Sequence, residues 1–201
     1  MELFLIAITI QIALLSPGPD FMVTLRQTIN YGKKYAYYSS LGIGFGIFIH
    51  IGYTLLGMGL ILKNFPYFLD MIRISGALYI IYLGYVNFKS NSSKIKIKLE
   101  KNNNYSLKKS FLVGFLTDLL NPKATLFFLS IFTAIVSIDT PLYIQSLYGL
   151  YCILANIFWY MFVANILSRK KNLDLFNKHQ NIIEKIIGII LILLGIKLIF
   201  S

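Results

Sequence analysis

The chain has 201 residues, of which 57% are hydrophobic and 13% are charged, and its formal net charge at neutral pH is +11. About a quarter of the residues of a soluble domain are charged, so the composition argues against a soluble protein and indicates an all-α integral membrane protein. The basic residues cluster at the ends of apolar runs, as in membrane proteins, which argues against nucleic-acid binding. A single cysteine, Cys152, excludes a disulfide framework and a Cys-rich metal site.

Apolar runs fill the chain, and each is close to the length of about 20 residues that crosses the hydrocarbon core as a helix. We therefore expect one membrane domain, 1–201, without a soluble domain. The predicted spans are 3–27, 36–62, 66–88, 110–136, 141–167 and 182–200. Glu2 stands where a signal peptide would be basic, and no small-residue cleavage site follows, so the first run is predicted to be retained.

Lys and Arg are concentrated in the connections after the first, third and fifth spans. The connections after the second and fourth spans carry one basic residue, Lys63. The positive-inside rule therefore predicts that the basic connections are cytoplasmic and that both termini lie outside. The longest of them, 89–109, is polar and rich in Lys, Asn and Ser, and we expect a mobile linker there.

The linker separates two halves of three spans each, 1–88 and 110–201. Span one is interrupted at Pro17–Pro19 and span four at Asn121-Pro122, so the halves look related. Because three is an odd number, the second half must be inverted relative to the first. The sequence thus predicts a 3+3 inverted-topology repeat with proline-broken first and fourth helices, an architecture of many secondary transporters.

The first motif is Ser16-Pro17-Gly18-Pro19-Asp20. Proline removes a backbone N–H and ends a helix. Backbone groups freed in a bilayer core cost several kcal/mol each unless protein or a water-filled cavity satisfies them. A break of this kind therefore indicates the wall of a cavity, although a kink between two short segments is the alternative.

The second motif, Thr117-Asp118-Leu119-Leu120-Asn121-Pro122-Lys123, places an acid, an amide, a helix breaker and a base in an apolar span. An ionisable group at mid-membrane costs ~2.5–3.5 kcal/mol, so such groups face the protein interior and find partners. Asp118 and Lys123 are five residues apart, too far to pair on a regular helix. The break at Pro122 could change this, Lys123 could reach Asp20, or either charge could extend to the headgroups.

For three further features of spans two and five, the sequence leaves two alternative roles each. Gly42 and Gly46 form a small-residue face for close helix packing, within one chain or between two copies of a homo-oligomer. His50 in span two either relays protons or only hydrogen-bonds across helices. Asn156 in span five either joins helices or contacts substrate.

These residues resemble the LysE/RhtB family of amino-acid exporters. The resemblance covers nearly the whole chain and includes P-G-P-D at 17–20, Y-L-G at 82–84, and G-F-L-T-D-L-L-N-P-K-A at 114–124 followed by Phe127-Phe128. It implies a multi-pass protein of the bacterial inner membrane that exports amino acids or close analogues, driven by an ion gradient. The resemblance also implies that the break motifs of the family are carried by Pro17, Gly18, Pro19, Asn121, Pro122 and Lys123.

Asp118 departs from the family, which usually shows asparagine there, so substrate charge or coupling is expected to differ. We expect a small zwitterion to bind between the halves near mid-membrane. Lys123 and helix N-terminal amides would attract its carboxylate, and Asp20 or Asp118 its ammonium. The same acids are candidates for coupling to protons, because burial disfavours a charged carboxylate. No cofactor is expected.

Other functions are weighed against amino-acid export. A membrane-embedded enzyme would need a nucleophile–base pair or metal cluster, and two histidines and one cysteine far apart do not supply one. An exporter of another small solute or of a metal cation in the same superfamily is the closest alternative, although soft or imidazole ligand clusters are missing. A structural protein that conducts nothing is the last alternative.

Overall fold

The computed structural model describes residues 1–64, 69–90, 105–137 and 139–200. Within these ranges the chain forms eight α-helices and no strand, which confirms the all-α prediction. The helices are α1 Glu2–Leu15, α2 Pro19–Tyr31, α3 Lys33–Asn64, α4 Leu69–Lys89, α5 Leu107–Leu119, α6 Pro122–Ile135, α7 Leu142–Leu167 and α8 Lys170–Ile199.

Two of the six predicted spans have single helices long and apolar enough to cross a membrane, and up to four do if each bent pair is one span. The two single helices are Lys33–Gly57 within α3 and Leu142–Leu167. The other two are the bent pairs α1 with α2 (55°) and α5 with α6 (60°), if each pair is counted as one span. Within the described residues, α4 and the apolar part of α8 do not meet the same requirement, so they are predicted spans only.

Helix α8 begins earlier than the predicted span 182–200. It starts at Lys170, because the polar stretch before the span has its own apolar side. There the Phe176 ring stacks on the Phe21 ring of α2 at a centroid distance of 5.2 Å, and Leu173 packs against the buried core. The helix therefore extends about three turns before the predicted span.

The predicted linker 89–109 lies largely outside the described residues, which resume at Tyr105. Its last three residues belong to α5, which Ser106 caps: the Ser106 hydroxyl oxygen accepts a hydrogen bond from the Lys109 amide at 3.2 Å. Such a cap satisfies one of the amide donors that a helix N-terminus leaves without a partner.

Glycines allow α3 and α5 to pack with their backbones in contact. A Cβ at Gly42 would overlap the Phe111 carbonyl, and a Cβ at Gly114 would overlap the Ser39 carbonyl. The two helices run parallel, since Ser39 lies opposite Gly114 and Gly46 lies opposite Asp118. The Gly42/Gly46 face is therefore occupied within the chain, and a homo-oligomer would need another surface.

Two other helix pairs run antiparallel. In the α4–α8 pair, a Cβ at Gly84 would lie 2.7 Å from the Gly188 carbonyl oxygen, and one at Gly195 would lie 2.9 Å from the Ala77 carbonyl oxygen. In the α3–α7 pair, Gly44 faces Ile157, whereas Ile51, two turns further along α3, faces Gly149. In both pairs, residue numbers that rise along one helix lie opposite residue numbers that fall along the other, so the helices are antiparallel.

The described basic connections lie at one end of the helix bundle. Tyr37 near the start of α3 donates a hydrogen bond to Asn165 near the end of α7 at 2.8 Å, and Gln27 of α2 donates to Tyr105 at 2.7 Å. At the opposite end, the Glu2 carboxylate accepts a 2.6 Å hydrogen bond from the Ser137 amide. The N-terminus thus lies beside the α6–α7 connection.

The close packing of α3 on α5 makes a stability prediction. Gly114→Ala should lower the stability of the protein, because the new methyl group meets the Ser39 carbonyl and overpacking costs about 1–3 kcal/mol. Gly52→Ala on α3 is the matched control, since nothing lies within 4 Å of its Cβ position. Thermal unfolding in detergent measures the difference; equal unfolding temperatures for the two variants would contradict the packing.

Candidate functional site

The first helix break follows from the prolines of the P-G-P-D motif. Helix α1 ends at Leu15, Ser16 and Gly18 are extended, and α2 begins at Pro19. Proline suits the first position of a helix because that position needs no N–H donor. No side-chain cap satisfies the start of α2, so the amide donors of its first turn are available to other groups.

The second break has the same origin but a different cap. Helix α5 ends at Leu119, and α6 begins at Pro122. The Asn121 side-chain oxygen accepts a 3.0 Å hydrogen bond from the Lys123 amide and so caps α6. The backbone N–H of Asn121 in turn donates a hydrogen bond to the backbone carbonyl of Asp118 at 2.9 Å, which closes the turn between the helices.

The two breaks meet face to face. The Asn121 side-chain amide donates to the Asp20 carboxylate at 3.4 Å, and the Lys123 ammonium donates to the Ser16 hydroxyl at 3.4 Å. The same ammonium lies beside Gly18, where a Cβ would be 3.7 Å away. Tertiary structure therefore brings together motifs that are about a hundred residues apart in the sequence.

Between the breaks lies a cavity of about 60 Å³, which is room for several water molecules. Seven of the predicted site residues line it: Gly18, Pro19, Asp20, Asp118, Asn121, Lys123 and Asn156. Pro17, Pro122 and His50 are not among the lining residues. The aromatic side chains of Phe127, Phe128 and Tyr160 also line the cavity and give it an apolar part.

Asp118 pairs with His50 rather than with Lys123. The His50 Nε2 atom lies 3.0 Å from the Asp118 carbonyl oxygen and 3.4 Å from its carboxylate Oδ2, and Nδ1 of the same ring hydrogen-bonds the Tyr53 hydroxyl. Both His50 and Asp118 are about 1% exposed. Gly46 makes the pair possible, because a Cβ at Gly46 would overlap the Asp118 carboxylate.

The Asp20 carboxylate is only partly satisfied. Its Oδ2 accepts from Asn121, but its Oδ1 is buried without a hydrogen-bond partner among the described residues. A buried polar atom without a partner costs about 1–3 kcal/mol. An unpaired oxygen beside a cavity therefore favours a cation, a proton or water at that position.

Asn156 lies at the wall of the cavity and also makes a hydrogen bond within its own helix, α7. Its side-chain nitrogen donates to the Cys152 carbonyl one turn earlier, at 2.8 Å. That bond fixes the direction of the side chain without using its oxygen.

Among residues 1–64, 69–90, 105–137 and 139–200, no three His, Cys, Asp or Glu side chains cluster as a metal site would require.

Sequence reasoning missed several polar residues around Lys123. The Ser16 hydroxyl donates to Asn87 of α4 at 2.5 Å, and Glu184 of α8, which is 3% exposed, interacts electrostatically with Lys123. Glu184 lies inside the predicted span 182–200, so the rule that singled out Asp118 could have found it. Ser16 stands in the first break motif without a predicted site role, and Asn87 gives no such signal, since amide groups are common in membrane helices.

Comparison with known proteins identifies the family. The sequence matches the LysE type translocator family over residues 11–201. An uncharacterized membrane protein of Bacillus subtilis, YrhP, is 31% identical over 190 residues, which cover 90% of each chain. The threonine efflux protein of Salmonella typhi is 29% identical over 210 residues, covering 100% of this chain and 98% of the relative.

The threonine efflux protein of Escherichia coli K12 is also 29% identical, over 199 residues that cover 94% of this chain and 93% of the relative. No solved structure matches the chain. A family match that spans nearly all of the chain agrees with the resemblance carried by the two break motifs. The chain therefore belongs to the LysE type translocator family, and it is a membrane transporter rather than an enzyme.

Proposed function

We propose that the protein is a secondary-active exporter of amino acids or close analogues from the bacterial cytoplasm. The observation that carries the proposal is the meeting of two helix breaks across one cavity, with an acid from one break and a base from the other. Broken helices at a repeat interface form the substrate site of many secondary transporters. The threonine efflux relatives support amino acids as the substrate class.

A zwitterion fits the charges of the cavity. The Asp20 carboxylate, with one oxygen unpaired, would bind the α-ammonium of an amino acid. The Lys123 ammonium would bind the α-carboxylate, helped by the uncapped N-terminus of α2, where the helix dipole is positive. The aromatic residues that line the same cavity would contact a small side chain of the substrate.

Alternating access is supported by the directions of the helices. An inverted repeat relates α3 to α7 and α4 to α8, so the members of each pair must run in opposite directions. Both pairs do so, and the breaks occupy matching positions in α1–α2 and α5–α6. We propose that one three-helix half, 1–88, rocks against the other, 110–201, and exposes the cavity to each side in turn.

The balance of charges supports coupling to protons. Three carboxyl groups, Asp20, Asp118 and Glu184, lie around one lysine and one histidine. If all five groups were charged, the region would carry one uncompensated negative charge, which is costly away from water. A proton or a cationic group of the substrate would restore the balance, so the two can compete for the same carboxylates.

The direction of transport follows from orientation. We propose that the basic end of the bundle faces the cytoplasm of the bacterial cell and that Glu2 and the α6–α7 connection lie outside. The grouping of basic connections at one end supports this orientation, because Lys and Arg are retained on the cytoplasmic side of the inner membrane.

The site assignment is tested by removing each charge. Asp20→Asn and Lys123→Ala should each slow efflux at least about tenfold, because loss of one partner from a buried charged pair costs about 2–5 kcal/mol. The measurements are the amino-acid content of loaded cells and the counterflow of radiolabelled L-threonine in proteoliposomes, extended to the proteinogenic amino acids and homoserine.

Asp139→Asn and Lys170→Ala serve as controls, since both residues are exposed and far from the cavity. They should transport at the wild-type rate. Unchanged efflux in both cavity variants would refute the site, and wild-type protein that moves no amino acid in proteoliposomes would refute the function.

Asp118 should govern coupling rather than substrate binding, because His50 already holds its carboxylate. We expect Asp118→Asn to retain threonine counterflow and to lose the accumulation that a pH gradient drives. The two assays are run on the same proteoliposomes. If Asp118→Asn loses both counterflow and accumulation, Asp118 instead belongs to the substrate site.

Orientation is tested with single cysteines in a Cys152→Ala background, which removes the native thiol. A membrane-impermeant maleimide should label Asp139→Cys in intact cells, whereas Lys171→Cys should react only after permeabilisation. The reverse pattern would show that the basic connections are outside and would contradict export by this arrangement.

A further inference from the structure

Glu184 is a buried acid that substrate binding in the cavity does not use directly. It lies in the part of α8 that is predicted to span the membrane, it is 3% exposed, and it is not among the residues that line the cavity. The Gln180 side chain, 6% exposed, donates a 2.9 Å hydrogen bond to it from one turn earlier. Because a charged group in this environment is costly, its presence calls for a cationic partner.

The packing of α8 on α4 places Glu184 near Lys123. Gly188, one turn after Glu184, packs against Gly84 and Phe88 at the end of α4. The neighbouring residue, Asn87, accepts a hydrogen bond from Ser16, whose hydroxyl accepts one from Lys123. Lys123 accordingly interacts electrostatically with carboxylates from both halves of the chain, Asp20 and Glu184.

We propose that Glu184 is a positioning residue that acts as the second counterion of Lys123 and holds the ammonium when substrate occupies Asp20. The inference rests on the proposed amino-acid export. No covalent bond forms or breaks. When substrate binds, the Lys123 ammonium interacts most closely with the Glu184 carboxylate instead of the Asp20 carboxylate.

The physical argument is one of competition. In the empty cavity, Lys123 is close to the carboxylate that must receive the ammonium of the substrate, and the two cations compete for Asp20. A second carboxylate behind Lys123 weakens this competition, because the lysine keeps a counterion when Asp20 is taken. Without Glu184, Lys123 would depend on Asp20 alone, and substrate would bind less well.

The exchange would also connect the cavity with α8. Asp20 belongs to the first half of the chain and Glu184 to the second, and α8 packs lengthwise along α4. A shift of Lys123 toward Glu184 on substrate binding would therefore change the attraction between the halves. Coupling between a bound ligand and a rigid helix pair requires such a differential interaction.

The test is a double-mutant cycle on Lys123→Gln and Glu184→Gln, with Asp174→Asn as the matched control because Asp174 is an exposed acid on the same helix. Concentration-dependent counterflow of L-threonine gives KM and maximal rate for each variant. Glu184→Gln should raise KM about tenfold with a smaller change in rate, a coupling in the range found for contacting residues. The control should leave both values unchanged.

In the Lys123→Gln background, Glu184→Gln should cause no further rise in KM, since the residue through which it acts is gone. Glu184→Asp, which keeps the charge, should recover most of the wild-type KM. Independent effects of the two substitutions, or a lower unfolding temperature with an unchanged KM, would overturn the proposal.

Assembly of the variants is itself informative. If Glu184→Gln does not assemble but the double variant does, removal of the lone charge has rescued the fold, and the pairing is supported. If neither assembles although Lys123→Gln does, Glu184 is structural and the proposal fails. Absence of threonine flux in the wild type would count against the proposed substrate alone, because the same cycle in unfolding temperature still decides whether the two residues are paired.

Discussion

The structure depends on a constraint of the bilayer: backbone N–H and C=O groups that leave a helix must find partners, because lipid offers none. Prolines create such groups at two places, and the fold brings both places to one cavity. Asn121 caps one helix with its own side chain and reaches Asp20 across the other break. Side-chain hydrogen bonds thus join the two breaks, and polar groups from both line the space left between them.

Close helix packing makes this meeting possible. Glycines bring α3 against α5 and α4 against α8 with their backbones in contact, which larger side chains would prevent. The first pair brings His50 to Asp118, and the second pair carries the buried polar residues Asn87 and Glu184. Small residues are therefore as necessary to the site as the charged ones, since they set the distances over which the charges act.

The charged groups divide into two sets around the breaks. The His50 Nε2 atom lies 3.4 Å from the Asp118 carboxylate, whereas Lys123 interacts electrostatically with Asp20 and Glu184. Each of the two aspartates keeps one buried oxygen without a hydrogen-bond partner among the described residues, but only Asp118 has a histidine nitrogen 3.4 Å from that oxygen. Under the proposed function, Asp118 is a titratable group of the cavity wall, and Asp20 is the ligand of the substrate ammonium.

Hydropathy and proline by themselves determined that the chain is helical and membrane-embedded and where its breaks fall, because these properties depend on local composition and backbone geometry. They also gave the bounds of α7 to within a residue. The resemblance to a family rested on the particular residues of the motifs. Only the tertiary structure decided that Lys123 faces Ser16 and Asp20, that Asp118 pairs with His50, and that α8 begins at Lys170. These facts depend on contacts between distant segments, and no pattern along one helix specifies which partner a buried charge will meet.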